Sequence, residues 1–199
     1  MVNEVPYQEP EQEVILKPMT FRTHQTGAYA ALLTVVIYMH VGGVSTATAI
    51  TTLIANVIGA LLPDMDQVSN RLWDLLPIGH LFGKVFGKLF LGHRSLSHSF
   101  LGIFLVYKGA MWLIPKLLNS NFVNVESVVW GLLVGYGSHL LLDGLTEEGL
   151  PLLFPIKWKF GFPPWKKLRI HTGRWVENWL IFPLLVIYAI GMSVWKIIF

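Results

Sequence analysis

His93-Arg94-Ser95-Leu96-Ser97-His98-Ser99, followed at once by the apolar run Phe100 to Leu118, decides how the chain is read. Two imidazoles, a guanidinium and three hydroxyls stand at the mouth of a stretch long enough to cross a bilayer, which takes about 17 to 25 residues. Neutral imidazole is the commonest metal ligand and titrates near neutrality, so two held close can bind a cation or move protons. Ser95 or Ser97 can equally cap the helix that follows, with Arg94 meeting lipid phosphates and the histidines lying at the interface. The remaining carboxylates and imidazoles weigh between these two readings by where they fall.

The rest of the chain is as apolar as that run. Its 199 residues are 53% hydrophobic and 14% charged, with mean hydropathy +0.54, which points to an integral membrane protein. A formal net charge of +3 implies no nucleic-acid footprint; the placement of Lys and Arg near span ends matters more, because it sets orientation. There is no cysteine, so disulfides and thiolate zinc sites are excluded and any metal must be held by His, Asp and Glu. Residues 1–20 form an acidic tail, with Glu4, Glu9, Glu11 and Glu13, and are expected to be mobile. They lack the basic start and apolar core of a cleavable signal, so the first span is expected to act as an uncleaved one.

Residues 21–199 read as a single all-α, polytopic membrane domain of about five spans. The polar stretch Phe21 to Gly27, with His24, leads into the first span, which reaches Met39. After a turn at His40 to Gly43, a second span rich in small residues runs from Ser45 to Leu62. Pro63 ends it, and Asp64-Met65-Asp66 follows, two carboxylates that are costly at that depth unless solvated, paired or bound to a cation. Residues 71–92, with Phe82, Val85, Phe86, Leu89 and Phe90 on one stripe, suit a helix lying in the interface. Phe100 to Leu118 is the third span and carries Lys108, which must snorkel or face a cavity. The fourth runs from Val125 to Leu142, and near its end His139 and Asp143, four apart, share one helix face. Glu147 and Glu148 follow in a turn-rich loop, either as ligands or as a solvated pair. Residues 155–178 mix Lys, Arg and His171 with three tryptophans, as a basic belt on a membrane surface does, before a fifth span from Trp179 to Phe199.

An even number of crossings puts the N-terminal tail, the 63–97 loop and the 143–178 loop on one side, and their Lys and Arg make that side cytoplasmic. His24, Asp64, Asp66, His93, His98, His139 and Asp143 then all lie at one level, whereas the opposite turns offer only His40. Incidental interfacial residues would be split between the faces. Four imidazoles and three carboxylates exceed what one tetrahedral zinc needs, so two or three divalent ions are expected, zinc or alternatively manganese. Clustered ions suit in-line displacement at a phosphoester. Arg94 and Asp66 are the candidate catalytic groups, and Arg94 with His171 would bind an anionic substrate.

The order Thr23-His24, Leu62-Pro63-Asp64-Met65-Asp66, His93 to Ser99, and His139 with Leu142-Asp143, Thr146, Gly149 and Pro155 resembles the YdjM-like family of membrane-bound, predicted metal-dependent hydrolases. The likeness runs from about residue 20 to 160; the family usually has glycine where Ser95 stands and often threonine where Ser97 stands. It implies a divalent-metal hydrolase of the plasma membrane, linked by analogy alone to the all-helical zinc-dependent phospholipase C group. Two readings follow: a hydrolase acting on a phosphoester such as a phospholipid at the cytoplasmic face, or a non-catalytic protein, either a metal-stabilised scaffold or an ion-translocating one. A transporter would place ionisable groups near the midplane instead of crowding them at one face.

Overall fold

Ser45, Ser99 and Asn124 stand in extended backbone and accept from Thr48 N at 3.1 Å, Gly102 N at 3.1 Å and Ser127 N at 2.9 Å. Each satisfies a backbone donor that the first helical turn leaves free. They open helices α2 (Thr46–Leu61), α3 (Phe100–Leu117) and α4 (Val125–Gly144). Thr20, before α1 (Phe21–Tyr38), provides no such side-chain cap. Glu177 serves instead: its Oε1 accepts from Thr20 N at 2.6 Å and from Thr23 Oγ1 at 2.9 Å. That carboxylate begins a single π turn, Glu177–Ile181, which continues as α5 (Phe182–Ile198). Among the described residues, helical backbone is already present at Trp175, four residues before the expected Trp179.

These elements belong to a computed structural model that describes residues 20–39, 42–66, 95–156, 158–172 and 175–198. The N-terminal tail through residue 19, the expected interfacial helix at 71–92, His93 and Arg94 lie outside the described residues.

α4 is the central helix, packed along α2, α1 and α3, while α5 lies against α1. Small residues let α2 and α4 meet backbone to backbone: a Cβ at Gly59 would overlap the Leu132 carbonyl oxygen, and one at Gly135 the Asn56 carbonyl oxygen. Asn56, fully buried, donates Nδ2 to Gly131 O at 3.1 Å across the same seam. Where α2 and α4 begin, Asn124 N donates to Thr48 Oγ1 at 3.0 Å and Ser45 Oγ to Phe122 O at 3.1 Å. Both helices therefore also finish together, at the opposite end of the bundle.

The polarity of the bundle is inverted relative to a soluble one. Ile50, Ile54, Phe104, Leu141 and Ile187 are more than half exposed, whereas Thr23, His24, Ser97, His98, Ser99, His139, Asp143 and Glu177 are buried. Apolar side chains facing outward suit a hydrocarbon solvent, and most of the named buried polar groups lie close together near one end of the bundle. α3, α4 and the helix Glu177–Lys196 are each long and apolar enough to cross a membrane, and α2 is apolar but shorter. The chain is an all-α membrane protein. Lys108 points outward from α3, its Nζ 5.6 Å from the Phe104 ring centroid and 5.8 Å from that of Tyr107.

Candidate metal centre

Four segments deliver imidazole and carboxylate groups to the end of the bundle where α2 and α4 finish. Pro63 stops α2 and starts a short 3-10 turn, Pro63–Asp66, that places Asp64 just beyond the helix. A second 3-10 turn, Leu96–His98, precedes α3; Ser99 Oγ donates to Leu96 O at 2.7 Å, and the Tyr136 hydroxyl of α4 donates to the Ser97 carbonyl. These bonds hold His98 over α4, where His139 and Asp143 project from successive turns of one face.

The groups meet. His98 Nε2 lies 3.3 Å from Asp143 Oδ2 and 3.5 Å from Asp64 Oδ1. His139 Nε2 lies 3.6 Å and 3.7 Å from the same two oxygens. One ligand atom from each of Asp64, His98, His139 and Asp143 can be chosen so that all lie within 4.8 Å of one another. His24 adds its ring, stacked on His139 with centroids 3.8 Å apart, and its Nε2 is 3.5 Å from Asp143 Oδ1.

Orientation of the rings is set from behind. His139 Nδ1 is 2.7 Å from the Ala60 carbonyl, which only accepts, so Nδ1 carries a proton and Nε2 is the nitrogen left facing the two carboxylates. Buried and without a hydrogen-bond partner, His139 Nε2 is an atom a cation would satisfy. Two carboxylates and two imidazoles are also a donor set that divalent zinc or manganese accepts. Burial works against the charge of Asp64, but the hydrogen bond from His98 and the nearby His139 and His98 outweigh it and hold its carboxyl well below the usual carboxylate range. That direction favours the anionic form that a metal ligand needs.

Over residues 19–197 the chain matches the sequence profile of the YdjM inner membrane protein family. It belongs to the YdjM family. The inner membrane protein YdjM of Escherichia coli (strain K12) is 31% identical over 144 residues, 70% of this chain and 63% of that protein, so the match covers less than two thirds of YdjM's own length. The YdjM of Shigella flexneri matches to the same extent. The uncharacterized protein YvsG of Bacillus subtilis (strain 168) is 28% identical over 160 residues, 80% of this chain and 86% of its own. No solved structure matches.

Of the expected metal ligands, His24, Asp64, His98, His139 and Asp143 have described side chains, and all of these meet here in this YdjM-family chain. His93 and Arg94 lie outside the described residues, as does the side chain of Asp66, whose backbone closes the turn that carries Asp64. His171 pairs with Glu147, Nδ1 to Oε2 at 2.9 Å, and neither belongs to the four-residue group. Arg169, one of the basic residues of the 155–178 segment, donates Nε to Pro163 O at 2.8 Å and Nη2 to Gly161 O at 3.0 Å and to Pro164 O at 3.2 Å, bracing that loop. Three contributors carry no signal in the sequence: Glu177, the Tyr136 hydroxyl and the Ala60 carbonyl. A Glu beside a basic aromatic segment reads as surface, and only its capping of α1, a partner some 157 residues earlier, reveals the role.

Proposed function

We propose that this YdjM-family protein is a divalent-metal-dependent hydrolase at the cytoplasmic face of the inner membrane, acting on a phosphoester such as that of a phospholipid. The observation that supports it is the convergence of Asp64, His98, His139 and Asp143 within 4.8 Å at one end of the bundle. These four would hold the first ion, zinc or alternatively manganese, and His24, His93 and Asp66 are the candidates for a second or third. When bound, the metal supplies Lewis acidity and a water of lowered pKa. The chain's own residues do the rest: His139 is held in the ligating tautomer by Ala60, and Asp143 faces three imidazoles at once. Arg94 would clamp two phosphate oxygens and His171 would meet the headgroup, with Asp66 as the base toward water. Hydrolysis joins a water oxygen to phosphorus, breaks the ester P–O bond and returns the water's proton to the leaving oxygen.

The purified protein should carry zinc or manganese and cleave a phosphodiester, with activity lost to a chelator and restored by the metal. Metal-replete protein inactive on phospholipids, nucleotides and peptides would favour a scaffold, a reading that draws on the near-complete burial of His98, His139 and Asp143. Asp64, whose side chain is 20% exposed, is the member of the group through which a substrate would gain access.

A further inference from the structure

Beside the ligand-bearing turns of α4 lies an apolar groove of about 690 Å³, within the size range of small-molecule sites. Its walls come from α3 (Phe100, Ile103), from α4 (Gly137, Leu141) and from the loop that follows α4 (Leu152, Phe162). That loop is a built wall. Leu150 and Phe160 exchange backbone hydrogen bonds at 2.6 Å and 2.8 Å, Phe100 N donates to Leu152 O at 3.0 Å, and Phe162 N donates to Gly144 O at 2.8 Å. Arg169 fixes its far side through the carbonyls of Gly161 and Pro163.

We infer that this groove binds one acyl chain of a membrane lipid, so that the lipid's phosphoester is presented to the neighbouring cluster. The inference rests on the hydrolase reading for its second half only. Its first half follows from what surrounds the groove. The lining is Phe, Ile, Leu and Gly without a polar side chain, so nothing there recognises a headgroup or a peptide's polar atoms. Two lining residues, Phe100 at 57% exposed and Leu141 at 74%, belong to helices long and apolar enough to cross a membrane, and they are apolar surface of the kind such helices turn toward lipid. The groove is also level with the cluster, because Leu140 and Gly144 of its wall directly follow His139 and Asp143. A chain lying in it would leave a glycerol phosphate at the depth of the ligands.

Gly137 offers a clean test. A Cβ there would meet nothing within 4 Å, so a side chain at this position starts in open space at the groove wall, and Gly137→Phe adds bulk to the groove with no change to the ligand group. Lysophosphatidylglycerols of increasing saturated chain length are bound to the full-length, metal-loaded protein in a sterol-based detergent, whose fused rings do not mimic a linear chain. The wild type should gain over Gly137→Phe by up to about fourfold per methylene, the equivalent of ~0.8 kcal/mol each, until the groove is full. With the longest chains the gap should exceed tenfold at unchanged metal content, and Gly137→Ala should behave as wild type. Equal binding by wild type and Gly137→Phe at every chain length would overturn the inference, as would cross-linking that shows a second copy of the chain seated on this face. Binding is read without turnover, so chain-length discrimination in a protein that hydrolyses nothing leaves the lipid groove standing and removes only the hydrolase reading. Metal-dependent cleavage of a chainless phosphodiester without chain-length discrimination does the reverse.

Discussion

Replacing Asp143 by Asn separates a metal centre from a hydrogen-bonded polar core. The substitution keeps the shape of the side chain and removes one of the two negative charges in the ligand group. Asp143 Oδ1 faces His24 and Oδ2 faces both His98 and His139 at 3.3–3.6 Å, and the side chain is only 2% exposed. Water cannot replace the lost charge there, and a divalent cation left undercompensated in a buried site costs at least about 3 kcal/mol, which weakens binding by about 10²-fold. Asp64 is the internal control. Its side chain is 20% exposed, so water can take over part of its role and Asp64→Asn should cost nearer to tenfold, about 1.4 kcal/mol. In the metal-free state the amide introduced by Asp143→Asn can still donate toward an imidazole nitrogen, so this variant should insert and elute from size exclusion like wild type. Metal affinity is measured by equilibrium dialysis with elemental analysis of protein purified in detergent. Unchanged affinity in Asp143→Asn, or a larger loss in Asp64→Asn than in Asp143→Asn, would refute the ligand assignment.

Acidification should release the metal as protons compete for the imidazole lone pairs, whose ordinary value is about 6.5, and a full metal load retained after those imidazoles are protonated would mean that carboxylates alone carry the metal. Glu177→Ala leaves Thr20 N and Thr23 Oγ1 without this acceptor and should lower stability by about 1–3 kcal/mol per group, seen as a lower melting temperature in detergent, whereas Glu177→Gln keeps an oxygen in place and should recover most of it; equal loss in both would assign the effect to charge. Arg94→Lys should cost on the order of 10²-fold in turnover with metal content intact if a planar fork grips the phosphate, and full turnover would remove Arg94 from the mechanism. Cysteines introduced as Asn121→Cys and Lys166→Cys should label from opposite sides of the membrane, and labelling from the same side would refute the proposed topology.

Much of this architecture was legible in the sequence because lipid leaves the chain few options. Pro63 and the starts of the apolar runs mark helix boundaries within a residue or two of where they stand, but the residue that caps α3 is Ser99 and not the expected Ser95 or Ser97. The level at which His24, Asp64, His98, His139 and Asp143 fall follows from alternation of spans alone. What could not be read is lateral: alternation gives depth, and the packing of α4 between α1, α2 and α3 decides which groups at one depth touch. The stacking of His24 on His139 and the Ala60 carbonyl behind His139 depend on that packing. Arg169 and Glu177 were hidden for a different reason. Within a basic, tryptophan-rich segment a charged side chain reads as a surface group, and nothing local signals that one braces a loop and the other is fully buried.

The bond between Thr20 and Glu177 gives the centre a history. A chain emerging from the ribosome at about 5–20 residues per second takes about 10 to 30 seconds to make the 157 residues between them. During that interval α1, which brings His24, has been handed to the membrane without the acceptor that fixes its first turn. The four residues of the ligand group, on the turn after α2, the turn before α3 and α4 itself, have all been made once residue 143 has emerged, whereas Glu177 comes only with the last helix. A nascent chain stalled before α5 would therefore carry all four members of the candidate ligand group while Thr20 N and Thr23 Oγ1 still lack their Glu177 acceptor.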